Sequence, residues 1–214
     1  GLIFGLIASG LWIVTSVYSI GYMRGKKEKN QTRFYAFFAL ALGASMGVAY
    51  AGNLITLFAF YEALSLSTYP LVTHHQTDAA KRGGRTYLGV LLFTSIVFFL
   101  FGIIWVWSLT GTTEFVPGGI LSGKATPFIT ATLLALFLFG IGKAGVMPFH
   151  RWLPAAMVAP TPVSALLHAV AVVKAGVFSM LKVTVFTFGI DNLAVNGASE
   201  FAMYVCLLYT SDAA

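Results

Sequence analysis

Runs of roughly 20 apolar residues recur along this chain without the period-two alternation of a barrel strand, and this restricts the fold more than any other feature. Inside lipid a backbone must satisfy its own N–H and C=O groups, so helices and closed barrels are the available solutions, and the pattern selects helices. A soluble core could not absorb so much apolar sequence: 58% of the residues are hydrophobic and only 9% are charged. The expected fold is therefore all-α, a polytopic transmembrane helix bundle.

Reading apolar runs against breakers places spans at about residues 2–23, 34–52, 53–73, 86–109, 128–146 and 163–188, with another starting at 198. Two basic loops, residues 24–33 and 74–85, hold eight of the thirteen Lys and Arg residues. A helical hairpin separates them, so they share one face of the membrane, and the positive-inside rule makes that face cytoplasmic. The loop over residues 111–127 carries one Lys and one Glu and belongs on the other side. Topology thus accounts for the net charge of +6, and no nucleic-acid partner is implied.

The chain opens at Gly1 within an apolar run, so a truncated N-terminus is expected. The terminal CLLYTSDAA, Cys206 to Ala214, resembles translated sequencing adapter, which leaves residues 1–205 as one transmembrane domain and removes the lone cysteine from any redox role. There is no Walker A loop, no CxxC pair and no dinucleotide fingerprint. No cofactor or metal site is expected.

Four ionisable residues fall inside spans: Glu62, Lys143, His168 and Lys174. A charge near the bilayer centre costs about 2.5–3.5 kcal/mol on insertion scales, which makes each a functional candidate. The competing explanation for each is a structural interhelical pair, ordinary hydrogen-bonded packing or snorkelling to an interface. Glu62 lies too far from either end of its span to snorkel, and its helical neighbours include Phe58, Ala59, Ser65, Leu66 and Tyr69. Lys143 sits in a glycine-rich stretch shortly before Pro148. Burial disfavours its ammonium form, whereas a carboxylate at ~4 Å with an effective dielectric of ~20 would favour it by about 4 kcal/mol. Those opposing effects are comparable, so its charge depends on how near Glu62 stands. His168 shares a face with Ser164 and Thr161; Lys174 follows it by ~9 Å of rise and about 240° of rotation, too far round for direct contact.

Other polar residues have simpler expected roles. His74 and His75 adjoin a basic loop and suit a solvated or interfacial position, Lys182 suits snorkelling, and Arg151–Trp152 and Trp105–Trp107 suit interfacial anchors. His150 fits a proton entry route or an interface equally. Pro148 and Pro154 are expected to break a helix, with Pro160 and Pro162 starting the next.

The segment KAGVMPFHRWLPAAMVAPTPVSALLHAVAVVKAGVF, Lys143 to Phe178, resembles the core signature of the proton-translocating membrane subunits shared by respiratory complex I, Mrp-type multisubunit sodium/proton antiporters and membrane-bound hydrogenases. NLITLFAFYEALSLSTYPL, Asn53 to Leu71, resembles the glutamate-bearing helix of the same family, and the likeness extends over most of residues 34–190. Lys174 and the wording of the motif make the antiporter subunits of A or D type the nearest likeness.

The resemblance implies a pumping lysine at Lys143, its glutamate partner at Glu62, a proton-passing residue at His168 and a less general lysine at Lys174. It also implies a discontinuous helix at the prolines and an inverted-repeat fold of which this chain holds a fragment. The roles are proton transfer, without bond chemistry of the chain's own, although membership of an NADH:quinone oxidoreductase would make it part of an enzyme. Implied partners are other membrane subunits, the lipid bilayer, and protons with sodium as a candidate counter-ion, at the inner (plasma) membrane of a bacterium. A secondary carrier for a small organic solute, using the broken helix as its site, is the alternative outside this family.

Overall fold

The computed structural model describes residues 1–165, 167, 172–196, 200 and 204. Among the described residues, four helices are long and apolar enough to cross a membrane: α1 (Leu2–Gly25), α2 (Gln31–Tyr50), α3 (Leu54–Val72) and α4 (Asp78–Thr110). They are followed by α5 (Pro127–Gly140), a short turn of helix α6 (Trp152–Ala155), α7 (Thr161–Ala165), α8 (Val172–Val183) and α9 (Ile190–Asn196). The segment from Cys206 to Ala214 lies outside the described residues.

Caps define where the chain turns. Asn53 starts α3 by accepting the Thr56 amide at 2.7 Å, and Thr77 and Thr126 do the same for α4 and α5. Contacts between loops establish the two faces. On the basic side, Arg33 donates to the His74 carbonyl, and Glu28 lies 3.9 Å from His74 and 3.7 Å from His75, so the two basic loops meet as their topology requires. On the other side, Leu54 N–H donates to Thr113 O and Phe115 N–H to Gly52 O, which pins the 111–127 loop over the turn between α2 and α3.

Two spans depart from their sequence-based bounds. Helix α4 begins at Asp78, eight residues before the expected start, because Ala80, Gly84, Tyr87, Leu91 and Thr94 already form a buried stripe at helical spacing. An apolar-run reading passes over such an amphipathic start. At about 50 Å the helix outruns a hydrocarbon layer of ~30 Å, so its Lys81, Arg82 and Arg85 turns lie on the basic side. Within it, Ser95–Leu100 forms a π-helical stretch, against which α5 packs so closely that a side chain at Gly140 would strike the Phe99 backbone.

Helix α5 ends at Gly140, short of the expected Val146. The break comes before either proline, and the glycines supply it: Gly142 is pressed against the Thr94 hydroxyl, and Gly145 adopts a left-handed conformation with φ of +75°. Short helical turns at Gly142–Ala144 and Phe149–Arg151 carry the chain on towards the basic side. The 163–188 span is described as α7 and then α8, which continues through a π-helical turn at Thr184–Phe188 to the expected end. Pro162 does sit in the first turn of α7, as expected.

Two side chains are more enclosed than their flanking sequence suggests. Trp152 is fully buried rather than interfacial: its indole donates to Gly142 O at 2.9 Å and its ring meets Tyr87 edge-on. His74 is likewise buried, beneath Phe34 and beside the more open His75.

Candidate functional site

Lys143 occupies the break after α5 and has no exposed surface. Its environment is built by α3, α4 and α8. Helix α8 brings Gly176 flat against the Lys143–Ala144 backbone, where any side chain would collide with Ala144 N and Lys143 Cβ. From α3, Tyr61 and Ser65 reach the lysine at one-turn spacing.

The ammonium donates to the Tyr61 carbonyl at 2.7 Å and to Ser65 Oγ at 2.6 Å, and it stands 3.2 Å from the centre of the Tyr61 ring. The ring face offers a negative quadrupole to the cation. Two of the three Nζ donors are thus placed on oxygen atoms. The Lys143 peptide N–H, left without a helical acceptor by the break, donates to the Tyr61 hydroxyl at 3.0 Å.

Glu62 follows Tyr61 on α3, about 100° round the helix. Both of its carboxylate oxygens are buried and neither has a hydrogen-bond partner. It lies close enough to Lys143, Tyr61 and Tyr87 for a charge there to bear on each of them. Among the described residues the ion pairs within 4.0 Å are those of Glu28 with His74 and His75. Glu62 and Lys143 are therefore neighbours that do not touch in this conformation, and a buried carboxylate without donors is a group in search of a partner.

The other sequence candidates fare differently. His168 lies outside the described residues. Lys174 is exposed on α8, two residues and so about 200° away from the Gly176 face that meets Lys143. Lys182 is half-buried and reaches the carbonyls of Ala49 and Ala51 at the end of α2. His150 is partly buried, with Nδ1 unpaired.

Sequence reasoning passed over Tyr61, Thr68 and Tyr87. Thr68 Oγ1 and the Tyr87 hydroxyl, both fully buried, share a hydrogen bond of 2.6 Å one turn from Ser65 towards the basic side. A tyrosine in an apolar run reads as packing; the only signal was its place beside Glu62 or on the buried stripe of α4. At the basic face, burial pushes the His74 imidazole below its ordinary value, His75 and Arg33 push the same way, and Glu28 opposes them. Among the described residues no group of three His, Cys, Asp or Glu side chains could hold a metal ion.

Residues 51–214 match the family described as NADH:quinone oxidoreductase/Mrp antiporter, transmembrane. A Staphylococcus aureus (strain MRSA252) protein named as antiporter subunit mnhA2 is 31% identical over 199 residues, 91% of this chain and 24% of the relative. A Rhizobium meliloti (strain 1021) protein named as the A/B component of a K(+)/H(+) antiporter is 33% identical over 84% of this chain and 18% of its own length. The chain thus spans about a quarter or less of these curated relatives. Among solved structures, a chain of the Mrp complex from Dietzia sp. DQ12-45-1b aligns with a TM-score of 0.63 and 31% identity over 70% of this chain and 16% of that one. A chain of respiratory complex I from Thermus thermophilus aligns with a TM-score of 0.67 and 26% identity over 84% of this chain and 38% of that one.

Proposed function

The chain belongs to the NADH:quinone oxidoreductase/Mrp antiporter transmembrane family, and on that premise we propose that it moves protons across the membrane as part of an Mrp-type multisubunit cation/proton antiporter. The observation that carries this reading is the arrangement of Lys143 and Glu62: a fully buried lysine held by neutral oxygens, beside a buried carboxylate with no partner. Moving the ammonium from Tyr61 and Ser65 to Glu62 would exchange weak acceptors for a full opposite charge, and so change the lysine's hold on its proton. A small displacement thereby becomes a proton uptake or release.

In this reading Lys143 is the titrating group and Glu62 its alternating partner. His168 would pass protons onwards, and Lys174, facing out of the described bundle, would serve a path continued by chain or subunits packed against α8. Sodium or another monovalent cation is the counter-ion, and the setting is a bacterial plasma membrane with other membrane subunits as partners. The names of the relatives support the antiporter assignment. A second reading, a proton-pumping subunit of a redox-driven complex, is favoured by the extent of the structural likeness to the Thermus chain.

The test is proton movement in vesicles holding the whole complex, with Lys143→Ala and Glu62→Gln. Loss of movement in both is expected, and normal movement in both would sink the proposal. Dependence of that movement on an added cation gradient, against dependence on electron transfer, separates the two settings.

A further inference from the structure

Ending α5 at Gly140 strands backbone groups in the middle of an apolar bundle, where each must find a partner. Two are taken by side chains from elsewhere: Trp152 donates to the Gly142 carbonyl at 2.9 Å, and the Tyr61 hydroxyl accepts the Lys143 N–H at 3.0 Å. Tyr61 meets the same lysine again at the ammonium, through its carbonyl at 2.7 Å and its ring. Ser65, one turn along α3, takes a second ammonium proton at 2.6 Å. One short stretch of α3 therefore grips Lys143 at both root and tip.

We propose that Tyr61 and Ser65 are the positioning residues of Lys143, fixing its peptide at the helix break and holding its ammonium on α3 within reach of, but apart from, the Glu62 carboxylate. This inference rests on the reading of Lys143 as the proton-carrying group. A lysine stem has four flexible carbons, so a buried ammonium anchored only by its own backbone would wander among acceptors. Anchoring the peptide N–H through the Tyr61 hydroxyl sets the origin of the stem, and the carbonyl and hydroxyl set its resting end.

The hold is also releasable. The Tyr61 carbonyl is shared with the Ser65 hydroxyl, which donates to it at 3.3 Å, and a neutral oxygen is a weaker acceptor for an ammonium than a carboxylate. Among the described residues, the titratable neighbours that bear on Lys143 are Tyr61 and Glu62, both from α3. Neither proposed contact requires a charge on the positioning residue itself.

The experiment compares Tyr61→Phe, Ser65→Ala, Ser65→Thr and Lys143→Ala in the complete complex, reconstituted in vesicles, by transport rate across a range of pH. Tyr61→Phe keeps the ring and the carbonyl and removes only the acceptor for the peptide N–H. It is expected to slow transport about tenfold by loosening the origin of the lysine stem, with a smaller movement of the pH midpoint than in Ser65→Ala, because the lost bond is to a peptide group that does not ionise. Ser65→Ala, which removes an acceptor of the ammonium itself, is expected to slow transport more mildly but to lower the midpoint of the pH profile by about one unit, and Ser65→Thr, which keeps the hydroxyl, to return to within about twofold of the parent.

Parental rate and pH profile in Tyr61→Phe and Ser65→Ala, with Lys143→Ala inactive, overturns this proposal and leaves the role of Lys143 standing. Undiminished transport in Lys143→Ala overturns that role instead. Should Tyr61→Phe fail to assemble, the serine pair decides: a parental Ser65→Ala counts against the positioning role, and a slow Ser65→Ala restored by Ser65→Thr supports it.

Discussion

Lys143 and Lys182 make the same kind of contact in different settings. Both send an ammonium from the second half of the chain to backbone carbonyls of an earlier helix. Lys182 goes to the carboxyl end of α2, where the carbonyls of Ala49 and Ala51 have no helical donors and the helix dipole is negative; the rings of Phe115 and Phe178 flank it at 5.1 and 5.6 Å. Lys143 goes to the middle of α3, to a carbonyl already within a helix, with an unpaired carboxylate one residue away. The first arrangement completes a helix end and is satisfied as it stands. The second leaves a better partner unused, which is the condition for a side chain that moves.

The sharpest way to break that distinction is to shorten each lysine to a neutral side chain. Lys143→Met is expected to lower proton transport at least about a hundredfold, the scale of removing a proton-transferring group, with the complex still assembled. Lys182→Met is expected to leave transport within about twofold while costing about 1–2 kcal/mol of helix-end stabilisation, read as a lower thermal midpoint in detergent. The reverse pattern would refute the division of roles.

Gly176→Val tests the site's backing. Its side chain would push directly on the Lys143 turn, so a stability loss of about 1–3 kcal/mol and slowed transport are expected together. Normal melting and transport would show that the turn yields freely. A smaller effect is expected from Thr68→Val, which leaves the Tyr87 hydroxyl unpaired: about 0.6–1.7 kcal/mol by thermal melting, the range for hydrogen bonds between membrane helices.

The smallest effect lies outside the bundle, at the contact between the basic loops. His74 protonates less readily when buried in that contact than when the loops part. The open form therefore takes up the proton first, so the contact is fully formed above the ordinary histidine value of about 6.5 and weakens as pH falls below it. Protease cleavage within residues 24–33 is expected to rise on acidification. Glu28→Gln removes the carboxylate that favours the protonated ring, so its rise should be steeper; a pH-independent cleavage rate in both proteins would exclude the mechanism.

Much of the architecture was legible before any coordinates. Apolar length alone yields the first three spans and the shared face of the two basic loops, because the cost of exposing backbone or charge to lipid acts on local sequence. The start of α4 escaped the same reading, since amphipathic stripes containing Arg and Lys are not apolar runs. The helix break was assigned to Pro148 and Pro154, whereas Gly140 to Gly145 produce it, because proline forbids a helix locally while glycine permits departure only when neighbours such as Phe99 and Thr94 press in.

The site divides along the same line. That Glu62 and Lys143 are unusual follows from the sequence by itself, since a charged residue far from a span end needs a reason to be there. That Lys143 rests on Tyr61 and Ser65 and that Lys174 faces away from Lys143 were decided by the rotation of α3 and α8 about their axes, and that Trp152 serves the break instead of the interface by the packing of α6 against Tyr87 of α4. A helix's hydropathy says that it spans; in a chain apolar on nearly every face, only packing against its neighbours says which residues point inward.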